Sequence, residues 1–311
     1  MGCGRWTSED WSGYSARHVA SKATTADIYT NTAKGVISDA LDPKNVKMRE
    51  SRDSADNPES AAIIVALDVT GSMSPVLDKM ARVGLPALME GIYGRKPVEN
   101  PQVMFMGVGD VTCDKFPLQV SQFESDIRIA EQLTQLYLEQ GGGGNDSESY
   151  TLPWYFAAMH TSIDCFEKRN KKGYLFTIGD ENIPDVLKAE EIGRALGYTP
   201  EQRVYTAEEL YKMVSRKYHV FHLMVEQGNH YKYNGDAVKK SWMDVIGQNA
   251  IPLDDHSKLG EVIISLIQVK EGADKKTVVD SWDGSTALTV KRAVDGLTPD
   301  EKAMTAGVIV L

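Results

Sequence analysis

The chain has 311 residues, of which 42% are hydrophobic, enough for one large domain or two modest ones with a sizeable core. Its 44 acidic and 34 basic residues give a formal net charge of -10, and the absence of a basic stripe argues against a nucleic-acid partner. Three widely spaced cysteines, Cys3, Cys113 and Cys165, argue against a disulfide framework or zinc ribbon and favour a reducing compartment.

The start of the chain carries no export signal. It lacks the basic start and apolar run of a secretory signal, and no stretch reaches the roughly 18 apolar residues that a membrane helix needs. We therefore expect a cytoplasmic protein that does not span a membrane.

Residues 1–60 are polar and end in the segment RESRDSADNPES, which predicts an N-terminal arm or linker. Trp6 and Trp11 are unusual in such a segment, because exposed indole rings gain nothing from solvent. We expect both rings to pack against the main domain, with a partner anchor as the alternative.

The first strong pattern is the apolar run AAIIVALDVTGSM, which begins at residue 61 and predicts a central parallel strand. The following segment, SPVLDKMARVGLPALMEGIYG, predicts a helix that ends near Gly94. Ser74 is its expected N-cap and Pro75 its first residue. Gly84 and Pro86 are the weak points of this helix.

Strand and helix patterns then alternate. The segments QVMFMGVGDVT, KGYLFTIGDEN and HVFHLMVEQ predict strands, and IRIAEQLTQLYLEQ, ESYTLPWYFAAMHTSIDCFEKR and AEELYKMVSRKY predict helices. The short LQVSQFES follows the preceding strand too closely for a crossover, so we expect it to be an antiparallel edge strand. The sequence thus predicts an α/β fold, a doubly wound and mostly parallel sheet with helices on both faces.

The predicted division of the chain is an arm at 1–60, a main domain at 61–268 and a C-terminal extension at 269–311. The sequence of the extension predicts one or two short helices. Its last five residues, GVIVL, are apolar and would add a strand or cover a sheet edge.

Three polar loops follow predicted elements of the main domain. They are Asp68–Ser72, the glycine-rich residues 141–149, and residues 179–181. In open α/β sheets, ligands bind outside the carboxyl ends of the strands, where such loops converge. The loops carry carboxylate and hydroxyl oxygens, which are the hard ligands that suit Mg²⁺ or Mn²⁺.

The spacing Asp68-x-Thr70-x-Ser72 after an apolar strand resembles the metal-ion-dependent adhesion site of von Willebrand factor A domains, whose pattern is Asp-x-Ser-x-Ser. The glycine-rich loop and a later Asp180 agree with that family in order and interval. The resemblance covers residues 61 to about 268 and implies a Rossmann-like sheet.

The resemblance also implies a bound Mg²⁺ or Mn²⁺. Its expected ligands are Asp68, Thr70, Ser72, Asn145 and Asp180. The family has Thr or Asp where this chain has Asn145, and neighbouring Asp146 is the alternative ligand. An amide carbonyl carries no charge, so we expect weaker cation binding than is usual in the family.

The implied function is metal-dependent protein binding, in which an Asp or Glu of the partner completes the coordination of the cation. Intracellular bacterial relatives often work beside MoxR-type AAA+ ATPases, so the resemblance implies that partner class and a bacterial or phage origin. The first alternative is a metal-dependent hydrolase or phosphotransferase. The second is a scaffold or virion component with a vestigial metal site.

We do not expect an enzyme, because no catalytic set is recognisable. Haloacid-dehalogenase-like enzymes need a second Asp two residues after the first, where this chain has Thr70. Walker A, GxGxxG and GxSxG motifs are absent from their expected places.

Other polar residues have plainer interpretations. Glu148 and Glu181 are expected to be helix N-terminal charges, with support of the metal ligands as the alternative. Asp110 is expected to be a turn residue. His219 and His222 fall on opposite faces of one strand, so we interpret both as structural.

Overall fold

The structure is a computed structural model that describes residues 4–139 and 146–298. The strands of this part of the chain are β1 (Arg49–Ser51), β2 (Ala61–Asp68), β3 (Pro101–Val108), β4 (Leu118–Val120), β5 (Thr161–Ile163), β6 (Gly173–Gly179), β7 (Val186–Lys188), β8 (Val204–Thr206), β9 (Tyr218–Val225) and β10 (Ala250–Leu253).

The helices of the same residues are α1 (Ser8–His18), α2 (Thr25–Ile28), α3 (Thr30–Lys34), α4 (Ser74–Lys79), α5 (Leu85–Arg95), α6 (Arg128–Leu133), α7 (Thr151–Met159), α8 (Asp164–Glu167), α9 (Ala189–Leu196), α10 (Ala207–Val214), α11 (Asn229–Ile246), α12 (Leu259–Lys270), α13 (Lys275–Asp280) and α14 (Gly284–Val294). None of them has both the length and the apolar character needed to cross a membrane.

The central sheet has the strand order β10-β9-β6-β2-β3-β4. All neighbours are parallel except β3 and β4, which are antiparallel. The predicted α/β class and the antiparallel edge strand are therefore confirmed. Two further pairs of strands, β1 with β5 and β7 with β8, lie outside this sheet.

Strand β2 is apolar on both sides because each face of the sheet is covered. Its alternate residues enter two cores, Ile63, Val65 and Leu67 in one and Ala62, Ile64 and Ala66 in the other. Helices α4, α5 and α12 contribute to the first core, and α7, α10 and α11 to the second. This two-sided burial is what a continuous apolar run in a parallel strand indicates.

The helix after β2 begins differently from the prediction. A 3₁₀ turn, Gly71–Met73, leads directly into α4, so Ser74 is the first helical residue and the predicted N-cap is wrong. A π-helical segment, Met80–Gly84, then separates α4 from α5. This segment ends two residues before Pro86, which has no N–H to donate to an α-helical bond.

The predicted helix at residues 127–140 is too long, because α6 ends at Leu133. The side-chain amide of Gln119 donates to the backbone carbonyl of Tyr137 at 2.7 Å. Its carbonyl oxygen accepts from the backbone N–H of Tyr137, also at 2.7 Å. The backbone N–H of Leu138 donates to the Thr32 hydroxyl. These bonds tie the segment to β4 and the arm, and they replace the helical pattern.

The predicted helix at residues 148–169 is also wrong as one element. It divides into α7, β5 and α8, and β5 pairs in parallel with β1 of the arm. The Thr161 hydroxyl donates to the carbonyl of Ala157, in the last turns of α7. Strand pairing with a distant segment thus overrides the local helical pattern.

The arm packs on the rest of the structure. Trp6 and Trp11 stack with ring centroids 5.7 Å apart and lie in the same core as α5, so their predicted docking is confirmed. The carbonyl of Leu41 accepts from the N–H of Val120 and covers the edge of β4. The C-terminal helices α13 and α14 join this core, whereas residues 299–311 lie outside the described residues.

Candidate metal centre

The predicted loops meet at the carboxyl ends of β2 and β6. These strands are direct neighbours, and Leu67 pairs with Ile178. Asp68 is the last residue of β2, and Asp180 follows β6 immediately. Ser147, from the loop after the glycine-rich segment, forms an isolated bridge with Asn182. The topology therefore brings the loops after β2 and β6 and the segment around Ser147 to one edge of the sheet.

Asp68 is fully buried and is held by Thr70. Its Oδ1 accepts from the Thr70 backbone N–H at 2.9 Å and from the Thr70 hydroxyl at 2.6 Å. Because the hydroxyl gives its hydrogen to Asp68, the lone pairs of Thr70 Oγ1 remain for another group.

Asp180, also fully buried, is held by residues from two other segments. The Ser72 hydroxyl donates to its Oδ1 at 3.3 Å, and the His230 backbone N–H donates to its Oδ2 at 2.9 Å. His230 lies in the first turn of α11, so the helix dipole favours the carboxylate. A Cβ at Gly228 would overlap Asp180, which explains glycine there.

The structure brings together four of the predicted ligands, Asp68, Thr70, Ser72 and Asp180. Asn145 lies outside the described residues, so its role remains a prediction. Asp146 has an exposed side chain, and its carbonyl accepts from the N–H of Asn182 at 3.2 Å. Its role as the alternative ligand remains a prediction too.

Two glutamates place further carboxyl groups beside Asp68. Glu148 is 3% exposed, and the Oε2 atoms of both Glu148 and Glu181 are buried without a hydrogen-bond partner among the described residues. Glu148 lies three residues before the first residue of α7, whose first turn holds no acidic residue, and its side chain is buried. No sequence motif distinguishes either glutamate from a surface residue.

Burial and mutual repulsion raise the pKa values of these carboxyl groups. Burial raises the pKa of Asp68 to about 7, although hydrogen bonds from Thr70 and Tyr150 oppose the rise. Burial, then the charges of Asp68 and Asp180, raise the pKa of Glu181 to about 8. Burial, Asp68 and Glu181 raise that of Glu148 to about 10. Burial and the charges of neighbouring carboxylates thus raise the pKa of all three groups.

The donor set fits a hard divalent cation. Carboxylate oxygens, two hydroxyl oxygens with lone pairs available, and two unpartnered buried carboxylate oxygens are oxygen ligands of the kind that Mg²⁺ and Mn²⁺ take. Within residues 4–139 and 146–298, no three His, Cys, Asp or Glu side chains are grouped so that they could hold a metal ion. Binding here would depend on the hydroxyls as well as the carboxylates.

Tyr150 contacts this site without having been predicted from the sequence. It is completely buried, and its hydroxyl donates to Asp68 Oδ2 at 2.7 Å. An aromatic residue at the start of a helix normally indicates core packing. The residues around Tyr150 in the sequence therefore do not predict its contact with Asp68.

Asp110 forms the predicted turn. Its carboxylate accepts from the backbone N–H of Thr112 at 2.7 Å and from the Thr112 hydroxyl at 2.6 Å, as Asp68 does with Thr70. The sequence Asp-Val-Thr occurs in both loops. Asp110 therefore belongs to a turn of the same sequence as the Asp68 turn, but it is not one of the four predicted ligands that the structure brings together.

The two histidines of β9 occupy opposite faces, as predicted. His222 is fully buried and stacks on Trp242 in one core, and His219 packs against Tyr174, which belongs to the other. Their separation across the sheet prevents both from binding one zinc ion.

No protein-family model and no curated protein matches the chain. Among solved structures, the pilus adhesin SpaC from Lactobacillus rhamnosus GG matches in its open conformation, with 11% identity and a TM-score of 0.46 over 70% of this chain and 31% of the adhesin. Another form of SpaC matches with 11% identity and a TM-score of 0.48, over 70% of this chain and 32% of the adhesin. The chain thus corresponds to about a third of that adhesin's length.

Proposed function

We propose that this chain is a von Willebrand factor A domain protein that binds Mg²⁺ or Mn²⁺ and, through it, a protein partner. The observation that carries the proposal is the convergence of Asp68, Thr70, Ser72 and Asp180, with both hydroxyls donating to the carboxylates. The unpartnered carboxyl oxygens of the two nearby glutamates support it, because a bound cation would offset the cost of ionising buried acidic groups.

Asp68 and Asp180 would neutralise the cation, and Thr70 and Ser72 would ligate it through their hydroxyl oxygens. A bound Mg²⁺ or Mn²⁺ supplies a coordination position for a carboxylate, which gives a directional contact with an Asp or Glu of the partner. This role requires no proton transfer by the residues of the site. We therefore propose a binding module and not an enzyme.

The partner class that the family resemblance implies is a MoxR-type AAA+ ATPase, and the proposed location is the cytoplasm. The proposed location is supported by the sequence, since its three widely spaced cysteines form no recognisable disulfide framework.

The test of cation binding is calorimetric titration of metal-free protein with Mg²⁺ and Mn²⁺. Asp68→Asn and Asp180→Asn should each abolish binding, because each removes one of the two neutralising charges. Asp110→Asn is the control, since it changes the same Asp-Val-Thr turn outside the four-ligand set and should leave most of the affinity. Failure of the wild-type chain to bind either cation would refute the proposal.

The test of partner binding is a pull-down of a purified MoxR-type ATPase with and without EDTA. Cation-dependent capture that Asp68→Asn abolishes is expected. If neither EDTA nor Asp68→Asn changes the amount of ATPase captured, the chain would be a scaffold with a vestigial metal site. A phosphatase screen with turnover that Asp68→Asn abolishes would instead indicate a metal-dependent hydrolase.

A further inference from the structure

Tyr150 donates the third hydrogen bond to the Asp68 carboxylate. Oδ1 already accepts two bonds from Thr70, and Oδ2 accepts one from the Tyr150 hydroxyl at 2.7 Å. A carboxylate has about four acceptor positions, so one remains, on Oδ2. We infer that Tyr150 is a positioning residue of the cation site, which fixes the Asp68 carboxylate and keeps that acceptor position on Oδ2. This inference rests on the proposed function.

The end of β6 is shaped for this contact. A Cβ at Gly179 would overlap the hydroxyl and ring of Tyr150, so only glycine lets the side chain pass to Asp68. Gly179 directly precedes Asp180. The same strand end therefore provides space for the positioning residue and then the second carboxylate of the site.

Aromatic packing fixes the Tyr150 ring itself. His222 and Trp242 contact it edge-on, with ring centroids at 5.2 and 5.5 Å, and they stack on each other at 3.5 Å. Trp242 also donates from its indole N–H to the carbonyl of Glu181 at 2.9 Å. The hydroxyl is thus held by the core, and the same cluster ties down the loop that carries Asp180.

Removing the hydroxyl should weaken cation binding through Asp68. Groups that orient a metal ligand without touching the metal typically contribute about 10- to 100-fold to metal affinity. Tyr150→Phe keeps the ring and its packing but loses the donor, so we expect the Kd for Mn²⁺ to rise about 10-fold.

The matched control is Tyr155→Phe. Tyr155 is buried in α7, the helix that Tyr150 directly precedes, and its hydroxyl bonds the hydroxyl of Tyr198 at 2.9 Å. Both variants lose one hydroxyl and keep a ring, so both should show a small loss of thermal stability in EDTA. Only Tyr150→Phe should lose cation affinity.

The experiment is titration of the full chain with Mn²⁺, followed by calorimetry, together with thermal unfolding in EDTA. Equal Kd values for wild type, Tyr150→Phe and Tyr155→Phe would overturn the inference while leaving the proposed function intact. A wild-type chain without Mn²⁺ binding would overturn both. If Tyr150→Phe does not unfold cooperatively, Gly179→Ala replaces it, because that change displaces the hydroxyl and should raise the Kd similarly.

Discussion

The hydroxyl of Ser72 donates to Asp180 Oδ1 at 3.3 Å, although the two residues are 108 positions apart. This bond joins the loop after β2 to the loop after β6. It exists because the two strands are parallel neighbours and their carboxyl ends share one edge of the sheet. The proposed cation site is therefore a product of strand order as much as of any single motif.

The Ser72 hydroxyl should matter for the cation more than for the fold. Ser72 is only partly buried, so we expect Ser72→Ala to change the free energy of unfolding in EDTA by less than about 1 kcal/mol. Loss of a ligand oxygen should raise the Kd for Mn²⁺ at least about 10-fold. Calorimetry and urea unfolding measure the two effects. Ser74→Ala, in the same stretch of chain, is the control, and an equal change in its Kd would contradict the assignment.

Gly228→Ala should damage both the site and the fold. The added Cβ would overlap Asp180, whose Oδ2 accepts from the His230 N–H. Forcing an extra methyl group into such a space costs about 1–3 kcal/mol, and a displaced Asp180 should bind cation poorly. Gly94→Ala is the control, because no described atom beyond its chain neighbours and the backbone of its own helix lies within 4 Å of its Cβ position. Urea unfolding should show Gly94→Ala to be neutral or stabilising, and similar losses in the two variants would refute the steric argument.

The sheet could be predicted because its signal is local. The apolar run of β2 and the residues Asp68, Thr70 and Ser72 are adjacent in the chain, and burial on both faces leaves a pattern that periodicity detects. Asp180 could be placed for the same reason, since it directly follows an apolar strand.

The rest of the site could not be predicted, because its partners come from distant segments. Tyr150 reaches Asp68 across 82 positions, and nothing in its neighbourhood differs from an ordinary helix start. The same reason explains the two wrong helices. Local apolar spacing favoured helix at residues 127–140 and 148–169, but Gln119 and strand β1 compete for those backbones.

Asp53 should stabilise the segment that joins the arm to β2. Its carboxylate accepts from Arg169 Nη1 at 2.8 Å and Nη2 at 3.1 Å, and from the Ser60 backbone N–H at 3.0 Å. Burial alone would raise the pKa of Asp53, but the bonds from Arg169, Ser60 and Lys168 together hold it well below the ordinary value. Asp53→Asn should therefore cost about 1–2 kcal/mol of unfolding free energy at neutral pH.

The sign of the pH dependence follows from the lowered pKa. The contribution of Asp53 is fully present above the unfolded pKa of about 3.9, and it is lost as pH falls through the lower folded pKa. Urea unfolding from about pH 7 to about pH 3 should show a constant difference between wild type and Asp53→Asn down to about pH 4 and a narrowing difference below it. The exposed Asp56 supplies the control, and an Asp56→Asn variant that matched Asp53→Asn would disprove the role of the Arg169 pair.

His222 should make the fold sensitive to mild acid. It is fully buried against Trp242, its Nδ1 shares a hydrogen bond of 2.9 Å with the Thr177 hydroxyl, and its Nε2 has no partner among the described residues. Burial lowers the pKa of His222 well below its ordinary value. The folded chain therefore keeps this imidazole neutral at a pH where the unfolded chain, with a pKa of about 6.5, takes up a proton.

Since the unfolded state binds the extra proton, stability should fall as pH drops below about 6.5, by up to about 1.4 kcal/mol per pH unit from this group. His222→Gln removes the titrating ring, so the unfolding free energy of wild type minus that of His222→Gln should fall as pH drops from about 7 to about 5. Urea unfolding in EDTA measures both slopes without a contribution from bound cation. His18→Gln, at an exposed position, should keep the wild-type slope. If His222→Gln also kept it, the acid sensitivity would have to come from other groups, and the buried imidazole would have no part in it.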